Sequence, residues 1–347
     1  MTVLRLREVS PSDWPALAAG FSDLNYEQSL AYSVPAAARL GARAAFLLIE
    51  REGAPVAAAV ARIKAVPGLG RGIAWVASGP LCRPRGAVPP DAETHRAILT
   101  ALRVELADRQ GHILRLRPAA LPPQDPAHWA EPAAAAGFVP TGRANAYHSF
   151  AFDLSQDEES LMMASSGSWR RHLRAAMRAG LEVERGHPSE RKLGARFRSL
   201  YDEMRGFKDF GESIAPEFFF GLDGPDVGCE VLMARKDGRD VAAVVAGDAG
   251  ESSVYLFGAT GAAGRELRAG YLLAWEGALR AKAAGLSWYD LGGVDEAANP
   301  EGFRFKSRAG GVEIAAAGPF EARPGGSVPR LVAGLEGLRA RLKGRGG

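Results

Sequence analysis

Three stretches of this sequence gather residue types that could do chemistry. In Phe303-Arg304-Phe305-Lys306, two aromatics alternate with two cations. If the piece is extended, its aromatics face inward and Arg304 and Lys306 project together; the spacing also suits one helical turn. A lysine held beside aromatic rings can stabilise the oxyanion that develops on a carbonyl during acyl transfer, where a preorganised cation acts more strongly than in water. Taken alone, the same lysine reads as a snorkelling surface side chain. The second stretch, Tyr289-Asp290-Leu291-Gly292-Gly293, closes an apolar run with a carboxylate and two glycines. Gly292 and Gly293 let a ligand approach the backbone, and Asp290 is a candidate general base at the rim, although a tight turn explains the segment equally well. The third is the basic stretch from Ser165 to Gly180. Ser165, Ser166 and Ser168 can each cap a helix, Gly180 can end it, and Arg170, Arg174 and Arg178 share one face at i, i+4 spacing. Three guanidiniums with few acids nearby can hold phosphates, while a solvated face beside the Trp169, Leu173 and Met177 stripe is the plainer alternative.

These segments need elements to position them. Ala45 to Ile49 and Val56 to Ile63 flank a turn at Glu52-Gly53-Ala54-Pro55, the pattern of a strand hairpin. Ile73 to Val76 reads as a strand, Thr94 to Arg109 as a helix stopped at Gly111, and Ile113 to Leu116 as a further strand. The second half repeats this order. Phe150 to Leu154 alternates like a strand, the basic helix follows, and Val231 to Ala234 pairs with Val241 to Ala246 around Lys236-Asp237-Gly238-Arg239. Val254 to Phe257, a helix from Tyr271 to Ala284, and a strand from Leu286 to Leu291 complete it. The expected class is therefore mixed α/β, with two copies of one fold: a domain over residues 1–148, a second over 149–317, and a tail over 318–347 that carries a helix from Arg330 to Lys343 and packs back on the first domain.

Composition sets the outer limits. A chain of 347 residues exceeds one ordinary core, and 47% hydrophobic with 24% charged residues is the mixture of a globular protein. No apolar run has the length of a signal peptide or membrane span, so a cytoplasmic protein is expected, peripheral to the membrane at most. Cys82 and Cys229 are far apart and the six histidines lack ligand spacing, so neither a disulfide framework nor a metal site is expected. Net charge is only +3, so a polyanion would have to meet a local patch. The sequence lacks a GxSxG elbow, a P-loop and a dinucleotide GxGxxG, which removes support for serine hydrolase, NTPase and Rossmann readings.

In order and spacing, several segments resemble the Fem family of peptidoglycan-bridge aminoacyltransferases, which build on two tandem acetyltransferase-like (GNAT) domains. The matching pieces are Asn25 to Ser29 with the Phe46 to Ile63 hairpin and Ser78-Gly79-Pro80, Phe152-Asp153-Leu154 with the basic helix, Gly258 to Gly270, Tyr271 to Glu276, Tyr289 to Gly293, and Phe303 to Lys306. The resemblance implies transfer of an amino acid from aminoacyl-tRNA to the stem-peptide amine of a UDP-linked or lipid-linked peptidoglycan precursor. It implies no cofactor beyond the tRNA co-substrate. Lys306 then stabilises the transition state, and Arg170, Arg171 and Arg174 meet phosphate or tRNA. Arg304, Tyr255, Gly292 and Gly293 line the substrate, with Arg205 and Lys208 standing where the family carries an arginine and this chain has Phe207.

Two other readings are kept. The first is a coenzyme A-dependent N-acyltransferase. Against it, the junction Arg265-Glu266-Leu267-Arg268-Ala269-Gly270 lacks closely spaced glycines and sets a carboxylate where a pyrophosphate would lie. The second is a nonenzymatic nucleic-acid-binding protein, which explains the arginines but leaves Asp290 to Gly293 and Phe303 to Lys306 without a purpose.

Overall fold

The computed structural model describes residues 4–207 and 214–325. The chain divides into two compact units, one comprising the chain up to Ala146 together with the segment from Ala316, the other Tyr147–Ala315.

The first unit begins with β1 (Leu4–Glu8), α1 (Trp14–Ala19), α2 (Leu30–Arg39), β2 (Arg43–Arg51), β3 (Ala54–Ala65) and β4 (Gly72–Ala77). It continues through α3 (Ala92–Arg103), β5 (Ile113–Arg117), α4 (Ala127–Ala135) and β6 (Val139–Pro140). The helix expected to run from Thr94 to Arg109 is regular only to Arg103, after which Val104–Arg109 widens into a π turn. Asp91 caps α3 by accepting from Thr94 N. The buried Gln28 bridges the sheet, its Oε1 accepting from Val60 N at 2.7 Å and its Nε2 donating to Ala77 O at 2.5 Å.

The second unit runs β7 (His148–Asp153), α5 (Glu158–Ala164), α6 (Gly167–Met177), β8 (Glu182–Gly186), α7 (Leu193–Phe207) and α8 (Glu217–Phe220). Then come β9 (Gly228–Lys236), β10 (Arg239–Ala249), β11 (Ser252–Thr260), α9 (Ala262–Glu266), α10 (Ala269–Ala283), β12 (Trp288–Asp290), α11 (Pro300–Ser307) and β13 (Val312–Ala315). A last strand, β14 (Phe320–Ala322), returns to the first unit, pairing with β5 and β6. The two sheets have orders β1-β2-β3-β4-β5-β14-β6 and β13-β7-β12-β11-β10-β9-β8. In each, one parallel pair, β4 with β5 or β11 with β12, interrupts an otherwise antiparallel array. The strand expected from Leu286 to Leu291 is shorter, Trp288–Asp290, because Leu286 N still closes the end of α10 on Ala281 O. The expected helix at Arg330 to Lys343 lies outside the described residues.

The second sheet buries apolar side chains on both faces. Phe150, Phe152, Tyr289 and Leu291 pack with Trp169 and Leu173 of α6 and with Leu272 and Trp275 of α10. Removing each such side chain from water stabilises the fold by about 1.5–3 kcal/mol. On β11 the pairing with β10 passes from Phe257 opposite Val245 to Tyr255 opposite Ala246, leaving Leu256 as an extra, bulged residue. In a regular strand Tyr255 and Phe257 would share a face. The bulge separates them: Phe257 meets Tyr201 and Phe219 edge-on on the α7–α8 side, whereas Tyr255 packs with the cluster that includes Leu272 and Tyr289.

Candidate active site

The structure brings Asp290, Gly292, Gly293, Tyr255 and Lys306 together at the end of β12. This strand lies between β7, where Asp290 opposes Ala151, and β11, where it opposes Val254. Ser149, two residues before Ala151 on the antiparallel neighbour, therefore reaches past the end of β12, and Tyr255 follows Val254 on the other side.

Asp290 is only 3% exposed, and both of its carboxylate oxygens are occupied. Ser149 Oγ lies 2.5 Å from Oδ1 and 2.7 Å from Gly292 O, so its one proton serves either acceptor. Gly292 N donates to Oδ1 at 2.8 Å, and the Tyr147 hydroxyl donates to Oδ2 at 2.6 Å. Burial pushes the Asp290 carboxyl above its ordinary range, opposed by these donors and by the nearby Lys306 charge. A carboxylate engaged in this way is suited to holding backbone in place, so the general-base role considered for Asp290 is not the one its geometry supports.

Gly292 adopts φ +79, and a Cβ there would stand 2.3 Å from Tyr255 O. Both the left-handed backbone and the close approach require glycine. The turn leads to α11, which Asn299 caps by accepting from Gly302 N at 3.0 Å and which has Pro300 in its first turn.

Because Phe303 to Lys306 is helical, Arg304 and Lys306 do not project together, as they would in a strand. Residues two apart on a helix point to opposite sides, and Arg304 is exposed. Phe303 and Phe305 instead grip two walls. Phe303 meets Phe150 edge-on at 5.8 Å, while Phe305 meets Tyr271 at 5.0 Å and Trp169 at 6.1 Å. Lys306, three residues after Phe303 and on the same side of α11, reaches back to the turn. Its Nζ donates to Gly292 O and to Gly293 O, each at 3.0 Å, and lies 5.8 Å from the centre of the Tyr255 ring. Burial lowers the Lys306 ammonium to about 8, with the Asp290 charge acting in the opposite direction. Burial also pushes the Tyr255 phenol up to about 12, so it stays protonated in the neutral range. An ammonium has three N–H donors, and the two glycine carbonyls take two, leaving one for an incoming oxygen.

The other expected site residues are distributed differently. Arg170 directs Nη1 to the carbonyls of Met163 and Ser165, both at 2.7 Å, and so closes the C-terminal end of α5. Arg171 and Arg174 remain exposed on α6. Arg205 is half-buried in the last turn of α7, and Lys208 lies outside the described residues. Sequence reasoning missed Tyr147 and Ser149, which it left at a domain boundary, and it missed the basic rim around Tyr271. His172 contacts the Tyr271 ring at 5.0 Å. Burial, then the Arg268 and Arg171 charges, hold His172 below its usual range, and Arg268 and Arg308 both act on Tyr271. Among the described residues, none of Arg171, Arg174, Arg178, Arg268 and Arg308 forms an ion pair. Among the described residues, no group of three or more His, Cys, Asp or Glu is placed to hold a metal ion.

The sequence profile of the acetyltransferase (GNAT) domain matches residues 166–307, from the cap of α6 to the last residue of α11. The chain aligns with the crystal structure of FemX at a TM-score of 0.73, with 15% identity, over 91% of this chain and 96% of that one. It also aligns with the C-terminal domain of a putative lysylphosphatidylglycerol synthetase from Agrobacterium fabrum (TM-score 0.54, 15% identity, 93% and 96% covered). A conserved protein of unknown function from Bacteroides thetaiotaomicron aligns at a TM-score of 0.56, with 13% identity and 92% and 100% covered. No curated protein matches the chain by sequence. The fold is thus a tandem of two GNAT-like domains. That fold is similar to the fold of FemX.

Proposed function

We propose that this protein is an acyltransferase that moves an amino acid from aminoacyl-tRNA to the stem-peptide amine of a peptidoglycan precursor. The observation that carries the reading is Lys306, a partly buried ammonium held by two backbone carbonyls with one N–H left over. In the transfer, the acceptor amine attacks the ester carbonyl and a C–N bond forms. The carbonyl oxygen becomes an oxyanion, which Lys306 stabilises. The ester C–O bond then breaks, the ribose hydroxyl of the tRNA leaves with a proton, and the amine nitrogen has lost one. A positioned cation of this kind accounts for about 10²–10³-fold in rate.

Two further features support this reading. The exposed arginines that rim Tyr271 lie on α6, at the cap of α10 and at the end of α11, the helix that also carries Lys306, and offer a polyanionic donor a positively charged surface. The β11–α10 junction also holds the short helix α9 and then Arg268, left-handed at the cap of α10 with no side-chain cap, which sets a guanidinium at the start of that helix. In the described residues no helix is long and apolar enough to cross a membrane, and we place the reaction in the cytoplasm, where charged tRNA is available.

Coenzyme A-dependent N-acyl transfer is the second reading, favoured by the GNAT profile over residues 166–307. The two are separated by incubating the protein with a muropeptide acceptor and either charged tRNAs or acyl-CoAs, then measuring which donor is consumed.

A further inference from the structure

The buried carboxylate of Asp290 has no substrate-facing oxygen, yet it sits at the far end of the glycine that Lys306 holds. Three donors converge on it: Tyr147 Oη at 2.6 Å, Ser149 Oγ at 2.5 Å and Gly292 N at 2.8 Å. Tyr147 also flanks the next residue, since a Cβ on Gly293 would meet its ring at 3.5 Å. The same turn is pinned from behind, where Leu291 N donates to Phe150 O at 2.9 Å and Val294 N to His148 O at 2.8 Å. The Gly292 and Gly293 carbonyls are thereby fixed in the orientation that Lys306 uses.

We propose that Tyr147, Ser149 and Asp290 form a clamp that fixes the Gly292-Gly293 turn for Lys306 and supplies the counter-charge that keeps Lys306 a cation. Asp290 and Tyr147 are thus positioning residues. The inference rests on the acyl-transfer reading for its purpose, but the state of Lys306 can be measured without any transfer reaction.

The charges around Lys306 leave Asp290 as the counter-ion. On the sheet side it faces Tyr255, which stays neutral, and the Asp290 turn. Arg304 and Arg308, two residues to either side on α11, point away from it and are exposed. On the Phe303 side, the His148 ring packs on Phe303 and His148 Nε2 pairs with Glu313 at 2.7 Å, so that carboxylate already has a partner. Burial opposes the ammonium, and the negative charge of Asp290 is the influence that favours it. The three donors on Asp290 favour its carboxylate form, against the burial that raises it.

The test compares wild type, Asp290→Asn and the double variant Ser149→Ala/Tyr147→Phe, which removes both hydroxyl donors. Folding is verified first by circular dichroism. Lys306 is then titrated in the free protein by competitive labelling with acetic anhydride at a series of pH values, quantified on the Lys306 peptide by mass spectrometry. The clamp predicts that half-maximal reactivity moves down by about 1 pH unit or more in Asp290→Asn, the scale of an opposite charge at close range. The double variant should move in the same direction, and the alkaline limb of the transfer rate should move by the same amount. An unchanged Lys306 titration in folded Asp290→Asn overturns the proposal, and if that variant does not fold, an unchanged titration in the double variant overturns it. A moved titration in a protein that transfers nothing from aminoacyl-tRNA would uphold the clamp and refute the proposed function.

Discussion

Asp290 and Lys306 hold the same residue from opposite ends: the carboxylate accepts from Gly292 N at 2.8 Å, and the ammonium donates to Gly292 O at 3.0 Å. A buried carboxyl group and a partly buried cation are thus linked through one residue whose backbone only glycine can adopt. The fold supplies the rest, with β12 placing Asp290, the Leu256 bulge placing Tyr255 and the anchored α11 placing Lys306.

Lys306→Ala is expected to fold normally and to lose about 10²–10³-fold in single-turnover rate, the effect of removing one oxyanion donor. Lys306→Arg should restore little, because a planar guanidinium cannot direct two N–H groups to the glycine carbonyls and a third outward as an ammonium does. Circular dichroism and single-turnover kinetics check both.

Gly292→Ala should be destabilising for two reasons that act together. The residue lies at φ +79, where a side chain costs about 1–2 kcal/mol, and its Cβ would stand 2.3 Å from Tyr255 O. Gly285 has φ +77 with nothing within 4 Å of its Cβ position, so Gly285→Ala carries the first cost alone. Urea denaturation should rank wild type above Gly285→Ala, and Gly285→Ala above Gly292→Ala.

The rate should fall as pH rises through about 8, because deprotonated Lys306 no longer stabilises an oxyanion. For stability the sign is reversed. The ordinary value is 10.5, so between about 8 and 10.5 the unfolded chain binds more protons than the folded one, and this lysine's contribution to stability increases with pH. A pH–rate profile and denaturation midpoints over the same range separate the two effects.

The arginines should divide into two groups. Arg170→Ala removes a guanidinium that closes α5 and should cost about 1–2 kcal/mol of stability with donor affinity preserved. Arg171→Gln, Arg268→Gln or Arg308→Gln should leave stability nearly unchanged, weaken tRNA binding and lower its salt dependence by about one unit of slope each. Binding measured at several salt concentrations checks this.

Much of the fold was legible in the sequence because hairpins and amphipathic helices are local patterns. The runs Ala45 to Ile49 and Val56 to Ile63 lie within β2 and β3, and Val231 to Ala234 and Val241 to Ala246 within β9 and β10. What escaped was set by contacts between distant segments. Nothing local in His148-Ser149-Phe150 shows that Ser149 will meet Asp290, because that depends on β7 pairing with β12 and joins residues 141 positions apart in the chain. The conformation of Phe303 to Lys306 was open for the same reason: both strand and helix bury its aromatics, and the cap at Asn299 with Pro300 decides for helix. The basic helix was found correctly, but its sequence could not show that the α5 carbonyls would claim Arg170 while leaving Arg171 and Arg174 exposed.

The central claim is that the acyl group comes from aminoacyl-tRNA and that Lys306 drives its transfer. The most direct measurement incubates wild type and Lys306→Ala with tRNA carrying a labelled amino acid and with a UDP-linked or lipid-linked muropeptide, and follows label into the muropeptide. The account predicts incorporation by wild type, its near-complete loss in Lys306→Ala and no transfer when acyl-CoA replaces the charged tRNA; incorporation from acyl-CoA alone, or wild-type incorporation by Lys306→Ala, would contradict it.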